Sequence, residues 1–162
     1  MDLLFVSIMM WIHLFTAIIF IGGSFFIWIV VWPASFELTD DEKFRTKIVG
    51  TLSKRFALFT NISVILLVIS GVFLAYAEFG VNPGFISTFS GQVLSVKVVV
   101  VVIAIGIMYY NNLGHAKKIG ILVREGKTEE VKRIRKTAHL LSYITLALLV
   151  LITILGAILE SV

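Results

Sequence analysis

The stretch SIMMWIHLFTAIIFIGG, residues 7–23, holds one ionisable side chain, His13, in an otherwise apolar run. The run continues on both sides of it: no Asp, Glu, Lys or Arg occurs between Leu3 and Phe36. About 20 helical residues cross the roughly 30 Å of a bilayer's hydrocarbon, so this segment is long enough to span. An imidazole held there costs kilocalories, which marks it as a functional candidate.

Further uncharged runs cover 56–77, 79–96 with 98–116, and 137–159. They predict four transmembrane helices at about 4–32, 56–78, 91–113 and 138–159. Composition agrees: 59% of the 162 residues are hydrophobic and 15% charged, whereas soluble domains carry about 25% charged residues. The expected fold is an all-α integral membrane four-helix up-down bundle, a single domain over 1–162. Met1-Asp2 supplies no basic start and no small-residue cleavage site follows, so the first span is expected to be retained. The absence of cysteine excludes disulfides, thiolate metal sites, iron–sulfur clusters and covalently attached haem. His, Met, Lys and carboxylates remain as ligands.

The net charge of +4 is placed unevenly. Thirteen of the fourteen basic residues lie in the loops 33–55 and 114–137; Lys97 is the exception. The positive-inside rule puts both loops in the cytoplasm, with both termini outside a plasma membrane. Topology and anionic lipid account for this charge, so the lipid bilayer is the expected partner and nucleic acid is not. A homo-oligomer and a redox partner or quinone stay open.

Local signals fill in the connections. Pro33 is expected to end the first span. TDDE at 39–42 has the pattern of a capping box, and Phe44, Ile48 and Leu52 recur at helical spacing, predicting a short amphipathic helix before the second span. Asn82-Pro83-Gly84 predicts an outer turn and Arg124–Lys127 an inner one. Thr128 is the expected cap of the last helix, with Glu129 and Arg133 as an i,i+4 pair. No internal repeat stands out.

Membrane bundles pack through small and polar residues, and each span carries such a stripe. The first has His13, Thr16, Ala17, Gly23 and Ser24 on one side, with Ile12, Phe15, Ile19 and Phe26 turned away. The second has Thr60, Ser63, Ser70 and Gly71. The third has Lys97, Ala104, Met108, Asn111 and His115, and the fourth His139, Ser142, Thr153 and Gly156. Counting residues from the span ends places His13 and Lys97 in the outer half of the membrane at similar depth. His115 and His139 fall near the cytoplasmic face, where they suit a metal or a bis-histidine haem. The plainer alternatives are a snorkelling lysine, a histidine bonded to a neighbouring helix and two solvated histidines on basic helix ends.

Haem b needs an axial imidazole, a flat apolar slot and charge near its propionates. His13 offers the imidazole, Gly22, Gly23 and Gly71 offer space for the macrocycle, and Lys97 a second ligand or a propionate partner. One or two haems are expected on this reading, the second at His115 and His139. Copper is the competing ligand: Met9 and Met10 stand four and three residues before His13, and thioether with imidazole suits a soft ion. Both methionines are also ordinary apolar residues of a span. No Walker loop, HExxH or nucleophile–base pair occurs.

WIHLFTAIIFIGG at 11–23, followed by VVWPA at 30–34, resembles the first span of the copper-resistance D family. KRF at 54–56 leading to Ser70-Gly71, and LSVK at 94–97, are similar both to that family and to the related HemJ-type protoporphyrinogen oxidases. In the latter a span-one histidine and a span-three lysine form the characteristic pair, matched here by His13 and Lys97. The resemblance implies a four-helix, haem-b-binding membrane module. The primary expectation is a b-type haem protein with a redox or electron-transfer role, an oxidoreductase if catalytic. The alternatives are a copper permease or copper-binding module, with Met9, Met10 and His13, and a porphyrinogen-oxidising enzyme.

Overall fold

The computed structural model describes residues 2–161, with the side chain of Ala116 left out. The chain is all-α, and four long apolar helical segments have the length and composition to cross a membrane: Leu3–Leu38, Glu42–Phe79, Phe89–Arg124 and Thr128–Glu160. Each runs 33 to 38 residues, or about 50 Å or more at 1.5 Å per residue. They therefore outreach a 30 Å hydrocarbon layer. The chain divides into two compact units, one reaching to Phe85 and the other starting at Ile86. Each is a helical hairpin.

The first hairpin pairs α1 (Leu3–Phe25) with α3 (Glu42–Phe79). Asp2 caps α1 by accepting from the Leu4 amide at 3.0 Å. Pro33 does not end the helix as expected. A π-turn at Phe26–Val31 precedes it, and α2 (Trp32–Leu38) carries Pro33 in its first turn. A proline in a regular helix clashes with the carbonyl four residues back and leaves it unbonded. The widened turn takes up that misfit, so the chain passes Pro33 and stops at Leu38.

The capping box is also realised differently. Asp41, not Thr39, caps α3, accepting from the Lys43 amide at 2.9 Å, while Thr39 Oγ1 accepts from the Asp41 amide at 3.0 Å. From there α3 runs without a break for 38 residues, so the expected amphipathic helix is its first turns. Arg45 fastens this corner. It is buried, donates to Glu42 Oε2 and to the Thr39 carbonyl, each at 2.8 Å, and lies 4.0 Å over the Phe36 ring.

Gly80, at φ 60°, ends α3, and the Gly84 amide donates to Asn82 Oδ1 at 2.9 Å in the expected turn. The second hairpin pairs α4 (Phe89–Tyr110) with α6 (Thr128–Glu160). A second π-turn, Asn111–His115, joins α4 to the short α5 (Ala116–Arg124). Gly126 makes the turn between α5 and α6 at φ 74°. Lys127 rather than Thr128 occupies the cap position, and Glu129 pairs with Lys132 at 2.9 Å rather than with Arg133.

Small and polar residues supply much of the buried surface: Thr16 on α1, Thr60, Ser63 and Ser70 on α3, Ala104 and Asn111 on the third segment, and Ser142 on α6. Phe15, Val102 and Leu140 are 58 to 65% exposed, a surface suited to lipid. Two stripe assignments change: Ile12 is half-buried and Thr153 is exposed, its hydroxyl bonded to its own helix at the Leu149 carbonyl.

Candidate functional site

In the first hairpin, α1 and α3 run antiparallel, and His13 meets α3 near the middle of α1. Its Nδ1 lies 2.8 Å from Ser70 Oγ, and Ser70 is 1% exposed. A serine hydroxyl has one proton. Ser70 spends it on the Leu66 carbonyl of its own helix at 2.6 Å, the back-bond common for serine in helices. Its oxygen therefore accepts from His13, so Nδ1 carries hydrogen. In the neutral ring the basic lone pair then sits on Nε2. Fixing the tautomer through the second nitrogen is how proteins prepare a ligating histidine.

The neighbouring glycine completes the seat. A Cβ on Gly71 would stand 3.2 Å from His13 Cε1 and 3.8 Å from Nδ1, so the imidazole rests directly on the backbone of α3. Met9 and Met10 are half-buried like His13, four and three residues before it on the same side of the helix. Thr16, one turn further on, is buried.

Gly23 has a different use. Any Cβ there would overlap the ring of Phe56. Two of the three positions expected to leave room for a macrocycle are thus filled, Gly71 by the His13 ring and Gly23 by Phe56, while a Cβ on Gly22 would meet nothing within 4 Å. Haem b does not fit at Gly23 or Gly71, because side chains of the same hairpin take their space.

The second hairpin places Lys97 in a comparable way. A Cβ on Gly156 would meet Lys97 Nζ at 3.3 Å and Cε at 3.9 Å, so the lysine stem crosses α6 at a glycine. At the other end of this hairpin Asn111 is buried and donates through Nδ2 to the Ala138 carbonyl and to Ser142 Oγ, both at 2.9 Å. Ser142 passes its own proton to the Ala138 carbonyl at 2.9 Å. His115 belongs to the π-turn, with Tyr110 edge-on to its ring at 5.4 Å. His139 is half-buried on α6, next to Ala138. Among the described residues no three His, Cys, Asp or Glu side chains gather to hold a metal ion.

Sequence reasoning singled out His13 and Lys97 but missed the roles of Ser70 and Phe56. Ser70 stood in the stripe as a packing residue, and nothing in one sequence marks a serine as the partner of a histidine 57 positions away. Phe56 read as the first apolar residue of a span. Both π-turns were also missed, and only Pro33 gave a signal for one of them.

Comparison with curated proteins gives no match, and neither does comparison with solved structures. One family model, Copper resistance protein D, matches residues 50–159. The matched segment takes in Ser70, Gly71, Lys97, His115 and His139, and it begins after α1, which carries Met9, Met10, His13 and Gly23. It spans more than half of the chain, which belongs to the Copper resistance protein D family.

Proposed function

We propose that this protein handles copper(I) in the membrane, as a permease or a copper-binding module, and that its cargo meets His13 with Met9 and Met10 on α1. The observation that carries the reading is the 2.8 Å contact between His13 Nδ1 and Ser70 Oγ, read with the hydroxyl's proton committed to the Leu66 carbonyl. It leaves the ring's basic lone pair on Nε2, the state in which a histidine ligates metal. Because no triad of His, Cys, Asp or Glu occurs among the described residues, a metal site here draws on thioethers. Thioether with imidazole favours the soft monovalent ion. Copper is the cargo, and the chain's part is to present the imidazole at a fixed orientation against Gly71.

The distribution of basic residues supports an orientation with both long loops in the cytoplasm, and with it a place for His13 in the outer half of the membrane. The supporting experiment is copper uptake by vesicles holding the protein. Met9→Leu/Met10→Leu and His13→Ala each lower uptake if α1 carries the cargo, and unchanged uptake in both removes the proposal. The haem reading has less support, since His13 and Phe56 of the same hairpin occupy the space at Gly71 and Gly23.

A further inference from the structure

Two buried polar atoms of the second hairpin have no protein partner: Asn111 Oδ1 and His115 Nδ1. Asn111 is only 7% exposed, and leaving a buried acceptor unpaired costs about 1–3 kcal/mol. Turning the amide over does not relieve it. That would aim Oδ1 at the Ala138 carbonyl and at a Ser142 oxygen whose proton is already spent on that carbonyl. The amide is therefore fixed, with an acceptor left over.

His115 lies four positions further along the same π-turn, so the two side chains lie on one side of the segment. Its ring is held by the edge contact with Tyr110. Turns of this kind interrupt helices most often at functional sites.

We propose that this π-turn forms a receptor for one uncharged hydroxyl group. The hydroxyl donates to Asn111 Oδ1 and accepts from His115 Nδ1–H. Water and the hydroxyl of a membrane-soluble phenol or quinol share that chemistry. A metal ion is the rival occupant, and the surroundings disfavour it. The amide oxygen is a poor ligand for a soft ion, and Lys117 and Lys118 follow the segment closely in the sequence. The inference stands apart from the copper proposal, since it uses no residue of α1.

The test is 15N NMR of His115 in the full chain reconstituted in phosphatidylcholine vesicles, with and without added quinol. A protonated Nδ1 with a cross-peak to water identifies water as the occupant. A cross-peak to the quinol hydroxyl, present only when quinol is added, identifies the lipid-soluble ligand. In Asn111→Leu the Nδ1 proton exchanges about tenfold faster, the equivalent of one neutral hydrogen bond. An unprotonated Nδ1 in wild-type protein under both conditions overturns the proposal, as does a shift on adding Cu(I) or Zn(II) that marks coordination. The wild-type spectra decide even where Asn111→Leu fails to fold.

Discussion

Replacing Ser70 by alanine tests the preparation of His13 without touching it. The substitution removes the oxygen 2.8 Å from Nδ1 and leaves the Leu66 carbonyl within its helix. Little stability is at stake, because the lost hydrogen bond, worth about 0.5–1.5 kcal/mol net, is offset by alanine's better helix propensity of a few tenths. Ligation is expected to suffer more. Removing the group that orients a ligating histidine typically weakens metal binding about 10- to 100-fold, or roughly 1.4–2.7 kcal/mol. The assay is competition of the purified protein against a Cu(I) chelator, read beside the 15N shifts of His13. Ser70→Ala should bind Cu(I) at least about tenfold more weakly and lose the single Nδ1–H tautomer, while Ser70→Thr, which keeps a hydroxyl, should recover both. Unchanged affinity together with an unchanged tautomer would refute the reasoning.

Gly71→Ala brings a methyl to 3.2 Å from His13 Cε1, so the ring must shift by a few tenths of an ångström. Helix propensity favours alanine by about 1 kcal/mol, and thermal stability should hold or rise while Cu(I) affinity falls; a parallel fall in both would point to general unfolding. Arg45→Ala is expected to cost about 1.5–3 kcal/mol in denaturation, the range for hydrogen bonds to charged groups, and Arg45→Lys should not restore it, since one ammonium cannot reproduce the fork and the stacking on Phe36. At the turn between α5 and α6, the hydrogen bond and charge of Glu125 hold the Lys127 amine above its usual value. The pair's small contribution is present below the ordinary lysine range and fades as pH rises through the raised one. In Glu125→Gln an NMR titration should find Lys127 returned downward, with almost no change in melting temperature for so exposed a pair.

The four spans were legible because a charge-free run of such length has few alternatives to a membrane helix. The stripes were legible because lipid-facing and protein-facing positions differ in chemistry, so Thr16, Ser63, Ser70, Ala104 and Ser142 could be assigned from sequence. Pro33 misled because a stop signal assumes a regular helix, and a π-turn removes the clash on which the signal rests. The cap at Asp41 was missed by two residues because Thr, Asp and Asp in succession all have the chemistry to cap.

The site was half legible. An ionisable residue in an apolar span announces itself, as His13 and Lys97 did, because its cost demands a reason. What fills a glycine's space does not. Gly23 and Gly71 look alike in sequence, yet one receives an aromatic ring and the other the imidazole. That difference is set by the register of α1 against α3, a relation between segments about fifty residues apart. The orphaned acceptor of Asn111 was equally hidden, since it depends on which amide atom faces Ala138.

The most direct measurement of the central claim is the Cu(I) stoichiometry and affinity of the reconstituted chain, determined by chelator competition for wild type, His13→Ala and Met9→Leu/Met10→Leu. The account predicts one Cu(I) per chain, lost in His13→Ala and weakened in the double methionine variant. Wild-type binding retained in full by His13→Ala would contradict it.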